Sequence, residues 1–195
     1  MSGLKKIVVI GPESTGKSTL CELLANHYHT LWCPEYAREY LLTHGKHYTF
    51  ENLLTIAKGQ LALEDEITNK YLTITNLQSP PEQPSPVGQA QLPLFIDTDM
   101  YVMKVWCEYV FGKCHSFILE QLVNRKYDLY LLCKTDLPWV EDELREYPDE
   151  KSRLELYHIY KDILVNQATP WMEISGNYEE RLQKAVCAVD ELLVK

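Results

Sequence analysis

The chain has 195 residues, 46% of them hydrophobic and 24% charged, and a formal net charge of −9. The length suits one domain with a substantial core, and the acidic balance argues against nonspecific nucleic-acid binding, which needs a basic footprint. No run approaches the roughly 18 apolar residues of a membrane span, Met1-Ser2-Gly3-Leu4-Lys5-Lys6 leads straight into a strand, and none of the six cysteines falls in a C-x-x-C pair. These features predict a soluble, cytoplasmic chain with buried free thiols, no zinc and no membrane contact.

The first element is the β-branched strand Ile7-Val8-Val9-Ile10. Gly11-Pro12-Glu13-Ser14-Thr15-Gly16-Lys17-Ser18 follows and fits the P-loop pattern G-x-x-x-x-G-K-[ST] at every defined position. A helical pattern through Leu20, Leu23 and Leu24 comes next and should end near His29. Strand, loop and helix in that order build a phosphate cradle. Glycines let the backbone curl so that N–H groups point inward, and the helix adds its positive end. Gly11, Glu13, Ser14, Thr15, Gly16, Lys17, Ser18 and Thr19 are therefore the candidate nucleotide-binding set. Lys17 would reach the β- and γ-phosphates of ATP, and Ser18 would ligate Mg²⁺.

Leu31-Trp32-Cys33-Pro34 reads as a short strand closing on Glu35, with a helix from Tyr36 to Leu42 and a turn at Gly45. Glu35 would stand beside the P-loop mouth, where P-loop nucleoside kinases often place an acid that binds the acceptor hydroxyl or takes its proton. The plain alternative is a surface Glu35–Arg38 pair. Apolar spacing from Phe50 to about Ile74 predicts a long helix with Thr49 as its cap. The proline-rich run that starts at Ser79 predicts a mobile surface loop over residues 79–91, or else a docking segment.

Leu92-Pro93-Leu94-Phe95-Ile96-Asp97 is a buried strand ending in acid. Asp97 or Asp99 would hold Mg²⁺ there, as a Walker-B carboxylate does; alternatively Asp97 or Thr98 caps the helix from Thr98 to Val110. A helix from His115 to Arg125 and a strand from Asp128 to Cys133 follow. Residues 134–153 are polar and carry Arg145, as a lid closing over phosphates would; a solvated charged helix is the plain alternative. A helix from Arg153 to Leu164, a strand Trp171-Met172-Glu173-Ile174 and an amphipathic helix from Tyr178 to Val194 complete the chain. Alternating strands and helices predict a three-layer α/β P-loop NTPase/kinase fold: one domain over residues 1–195, a mainly parallel five-stranded sheet, and a site beyond the strands' C-terminal ends. Cys133-Lys134-Thr135-Asp136 lacks the asparagine of the guanine-reading N-K-x-D motif, and Asp97-Thr98-Asp99-Met100 lacks the glycine of D-x-x-G, which excludes a signalling GTPase.

Together the P-loop, Pro34-Glu35-Tyr36-Ala37-Arg38-Glu39, Phe95-Ile96-Asp97-Thr98-Asp99 and Trp139-Val140-Glu141-Asp142-Glu143-Leu144-Arg145 resemble the ribosylnicotinamide kinase domain of NadR-type NAD-biosynthesis proteins, within the P-loop kinase and AAA-type ATPase superfamily. Gln60 is a weaker match. The resemblance implies ATP-dependent phosphorylation of the ribose 5′-hydroxyl of nicotinamide riboside, giving the mononucleotide for NAD salvage. It implies that Lys17 neutralises the phosphates and that Ser18 with Asp97 holds Mg²⁺. Glu35 or Asp99 would draw the hydroxyl proton, with Tyr36, Arg38, Gln60 and Asp97 also on the acceptor side. Arg145 and Arg153 would close from the lid, and the loop bearing Asn177 would lie near adenine. The acceptor's pyridinium cation suits aromatics such as Trp32, Tyr36, Tyr101 and Trp106. The bifunctional relatives carry an adenylyltransferase domain ahead of the kinase, so this chain is expected to make the mononucleotide and not NAD. Two other readings stand beside this one: a kinase for another nucleoside, and an ATP-binding regulator without catalysis.

Overall fold

A computed structural model describes residues 4–77 and 92–194; the expected proline-rich loop at 79–91 lies outside the described residues. In chain order the elements are β1 (Lys6–Ile10), α1 (Lys17–Tyr28), β2 (Trp32–Cys33), α2 (Tyr36–His44), α3 (Phe50–Leu77), β3 (Leu94–Asp97), α4 (Met100–Phe111), α5 (Ser116–Asn124), β4 (Leu129–Cys133), α6 (Glu150–Val165), β5 (Trp171–Ile174) and α7 (Tyr178–Leu193). The strands form one sheet in the order β2-β3-β1-β4-β5, and every pairing is parallel. The sheet is thus wholly parallel, where the sequence predicted a mainly parallel one.

The apolar strands explain the layering. A parallel sheet is covered on both faces, so its inner strands carry apolar residues at every position. Ile7, Val9, Leu129 and Leu131 turn to one face and pack with Leu20 and Leu24 of α1 and Ala185 and Val189 of α7. Val8, Ile10, Leu94, Ile96 and Leu132 turn to the other and pack with Val102 and Val105 of α4 and Leu156, Tyr160 and Leu164 of α6. A third cluster, away from the sheet, joins α2, α3, α4 and α5 through Tyr40, Leu53, Ile56, Met103 and Ile118.

Most boundaries match the predicted ones within a few residues, and the exceptions have local causes. β2 keeps only two of its four expected residues, because it is an edge strand and Pro34 has no N–H to donate. α4 is capped by Asp99, not by Asp97 or Thr98: its carboxylate accepts from the backbone N–H groups of Tyr101 (2.9 Å) and Val102 (3.4 Å). Thr98, with φ 76, is left-handed just ahead of that cap. α6 begins at Glu150, before the expected Arg153, since Asp149 caps it by accepting from Ser152 N. Residues 139–145 form no helix, which removes the charged-helix alternative. All six cysteines are free; four are buried, Cys114 is half-buried and Cys187 is exposed. No helix among the described residues is long and apolar enough to cross a membrane.

Candidate active site

β1 lies between β3 and β4, so the strand order reverses around it and a crevice opens at the strands' C-terminal ends. The loop after β1 fills that crevice. Gly11 must be glycine, since its φ is 145 and a Cβ there would stand 2.7 Å from the Cys133 carbonyl on β4. Ser14 (φ 55) and Gly16 (φ 76) both take left-handed backbone, which curls the loop into a concavity. For Ser14 that conformation costs about 1 kcal/mol. The curl is tied by Thr15 Oγ1 donating to the Pro12 carbonyl at 2.7 Å, and Lys17 Nζ donates to the same oxygen at 3.0 Å. α1 starts at Lys17 with no side chain capping it, which leaves its first N–H groups to face the concavity.

Two acids face this loop. Asp97, at the end of β3, is fully buried and accepts a 2.5 Å hydrogen bond from Ser18 Oγ. Burial pushes its carboxyl up, against the opposing pull of Lys17 and its hydroxyl partners. Glu35 stands at the head of α2, and its carboxyl is pushed up to about 7 by burial, with the Asp97 charge adding and Lys17 opposing. Two acids raised by enclosure, beside one lysine, make a site that favours an added cation.

Residues 134–149 fold over the P-loop as a cover. Val140 N donates to Ser14 Oγ (3.0 Å), and Glu146 N and Tyr147 N donate to the Glu13 carboxylate (2.9 and 3.2 Å). Arg38 reaches up from α2 to Asp142 at 2.5 Å, so its partner is this cover and not Glu35. Arg145 donates to the Val140 carbonyl, and Arg145 and Arg153 both lie over the Trp139 ring, 5.7 and 5.4 Å from its centroid. Arg153 also donates to the Ser14 carbonyl.

Beneath the cover is a cavity of about 490 Å³. Gly11, Glu13, Ser14, Thr15, Gly16, Lys17, Ser18, Thr19, Glu35, Arg38, Asp97 and Arg145 all line it, so twelve predicted residues meet in one space. Trp32 and Trp106, both expected from the sequence, line it as well, and Tyr109 and Tyr160, which the sequence does not single out, add to these aromatics. Tyr109 follows Trp106 by three positions on α4 and so shares its face.

Six residues expected at the site stand outside that lining, among them Arg153, described above. Asp99 is buried, and besides capping α4 it accepts from the Tyr130 hydroxyl at 2.8 Å. Gln60, also buried, accepts from Tyr36 N at 2.7 Å and donates to the carbonyls of Pro34 (3.3 Å) and Asp97 (3.4 Å), which ties the Glu35 loop to the end of β3. The Tyr36 ring packs on Gly59 of α3, where a Cβ would collide with it. Asn177 caps α7 in a reciprocal box with Glu180, while its neighbour Tyr178 lines the cavity beside Gly16. Tyr101 lines a separate, smaller cavity. Arg181 escaped the sequence reading: it is buried on α7 and bonds to the P-loop from behind. Its only sequence signal is a charge on the apolar face of an amphipathic helix.

A glycine-hinged loop feeding an uncapped helix, with a buried acid on the hydroxyl after its lysine, defines a P-loop nucleotide-binding protein. Residues 6–181 match the AAA domain family, and the chain belongs to it. It is 26% identical over 195 residues to the trifunctional NAD biosynthesis/regulator protein NadR of Escherichia coli (strain K12), an alignment that takes in 97% of this chain and 43% of NadR. The chain therefore spans less than half the length of that relative. A crystal structure of NadR protein in complex with NR superposes with a TM-score of 0.74 at 23% identity, covering 98% of this chain and 50% of that one. NadR protein in complex with NAD and AMP-PNP gives 0.67 at 22% identity, with the same coverage. A thymidylate kinase from Ehrlichia chaffeensis gives 0.61 at 16% identity, covering 96% of this chain and 99% of that one. The fold is that of the P-loop kinases.

Proposed function

We propose that this chain is an ATP-dependent small-molecule kinase that phosphorylates the 5′-hydroxyl of nicotinamide riboside. The observation that carries the proposal is the placement of Glu35, an acid with a raised pKa, in one cavity with Lys17, the Ser18–Asp97 pair and an aromatic wall. The likeness to NadR over nearly the whole chain supports both substrates, since NadR protein has been crystallised with NR and with AMP-PNP.

The roles follow from charge and position. The inward N–H groups of Ser14 to Ser18 and the Lys17 ammonium hold the β- and γ-phosphates. Glu35 accepts the proton of the acceptor hydroxyl as its oxygen bonds to the γ-phosphorus and the bond from that phosphorus to the bridging oxygen breaks, leaving ADP. Arg145 brings charge from the cover, and the cover keeps water from competing as acceptor. Ser18 and Asp97 are the residues that would hold Mg²⁺, and Mg²⁺ suits them because it takes one or two protein ligands and draws the rest from phosphate and water. Among the described residues no cluster of three or more metal-binding side chains forms a cage of its own. When bound, Mg²⁺ neutralises charge developing on the phosphates.

The test is incubation of the purified chain with ATP, Mg²⁺ and a panel of nucleosides, with ADP and mononucleotide followed by mass spectrometry. Nicotinamide riboside is expected to give the highest kcat/KM, and Lys17→Ala to abolish turnover. Preference for another nucleoside would move the assignment to that acceptor. Triphosphate binding with no phosphorylation of any nucleoside would remove the kinase assignment and leave a regulator.

A further inference from the structure

Arg181 is only 2% exposed, and an arginine buried in that way is unfavourable unless its donors are met. They are. Nε donates to the Gly176 carbonyl (2.7 Å), one terminal nitrogen to the Thr15 carbonyl (2.9 Å), and the other to the Lys134 carbonyl (3.1 Å) and to Asp136. The second oxygen of Asp136 accepts from Gly176 N at 2.6 Å. One guanidinium therefore joins the three loops that follow β1, β4 and β5. A packed apolar side chain would hold α7 to the sheet at least as well as this ion pair, so the arginine is distinguished by what it orients.

The Thr15 carbonyl and the Gly16 N–H belong to one planar peptide unit and point in opposite directions. Gly16 has no Cβ to restrict its φ, so its own backbone does little to stop that unit from turning. Arg181, on the outer side, pulls the carbonyl away from the cavity and thereby aims the Gly16 N–H into it. We propose that Arg181 is a positioning residue for the triphosphate: it fixes the Thr15–Gly16 peptide so that the cradle is formed before the ligand arrives, and fastens the loops at Lys134–Asp136 and Gly176 to the same point. Arg181 has this role only if the cleft binds a triphosphate, the reading given above.

The test compares Arg181→Met and Arg181→Lys with the parent chain. Binding of ATP and of inorganic tripolyphosphate is measured by calorimetry, KM for nicotinamide riboside by steady-state kinetics, and thermal stability alongside. Tripolyphosphate has no base, so it reports on the cradle alone. Arg181→Met is expected to weaken both ligands about tenfold or more, a loss of about 1.4 kcal/mol. The acceptor KM should stay within about twofold, an orientation effect confined to one ligand. Arg181→Lys should stay folded and recover only part of the loss, because an ammonium lacks the planar fork that serves several carbonyls together. Parent-like tripolyphosphate affinity in a folded variant of either kind overturns the proposal. So does an equal loss of triphosphate and acceptor affinity that tracks a fall in thermal stability. If Arg181→Met does not fold, Arg181→Lys decides by the same readouts. A parent chain that binds tripolyphosphate but phosphorylates no nucleoside removes the kinase reading, and the proposal is then decided by tripolyphosphate affinity against thermal stability; one that binds no triphosphate removes both.

Discussion

Glu35 and Asp99 have carboxyls pushed up to about 7, in each case chiefly by burial, yet their surroundings assign them different work. Glu35 lines the cavity, whereas the oxygens of Asp99 are taken by the N-terminus of α4 and by Tyr130. Glu35→Gln removes the proposed proton acceptor and keeps the shape, so kcat should fall about 100-fold or more with ATP affinity nearly unchanged. In the parent chain kcat/KM should rise as pH passes upward through about 7, where Glu35 becomes ionised; a profile flat across that range would reject Glu35 as the base. Asp99→Asn should behave otherwise, keeping most activity because asparagine also caps helices well. Its effect belongs to stability. A carboxyl raised in the folded state binds more protons there than in the unfolded chain, so stability declines as pH rises from about 4 towards 7. Melting temperatures of Asp99→Asn across that range should fall less steeply than those of the parent chain. Equal slopes would show that Asp99 does not titrate as proposed.

Helices α2 and α3 set where Glu35 stands. The next residue, Tyr36, lays its ring across Gly59, and Gln60 of the same α3 turn holds the backbone around Glu35. A glycine inside a helix ordinarily costs stability, so Ala at such a site would be the better helix former. Here the close approach reverses the sign. Gly59→Ala should destabilise the protein by about 1–3 kcal/mol, the range for overpacking a tight contact, and should lower kcat by shifting the Glu35 loop. Urea denaturation with parallel kinetics checks both, and a stabilised, fully active variant would refute the account. The cover is held by another kind of contact: backbone N–H groups of Val140, Glu146 and Tyr147 meet Ser14 and Glu13 of the P-loop itself. Glu13, read from the sequence as part of the nucleotide set, thus also fastens the cover, and burial raises its carboxyl.

Across the whole molecule, what the sequence made legible is local or periodic. Apolar runs such as Ile7–Ile10 and Leu129–Cys133 announce strands buried on both faces, and the glycines and Lys17 announce the cradle because that chemistry is contained in eight consecutive residues. The rest depends on distant convergence. Arg181 meets Thr15 from 166 positions away, and no local pattern encodes that meeting. Asp97-Thr98-Asp99 offers three residues able to cap a helix, so only packing decides that Asp99 caps α4 and Asp97 faces Ser18. Tyr36 and Gln60 carry chemistry suited to a ligand, and the fold uses them to position their neighbours.

The two-residue strand β2 has a consequence for how this architecture can vary. β1, which carries the phosphate loop, is paired along both edges, whereas β2 pairs with β3 alone among the described strands, through Trp32 beside Phe95 and Cys33 beside Ile96. The phosphate loop is thus built into the keel of the sheet, and the Glu35 side of the cavity hangs on an outrigger trimmed by one glutamine. Substitutions at Trp32 or Trp106 can therefore recut that wall of the cavity while the keel keeps its shape.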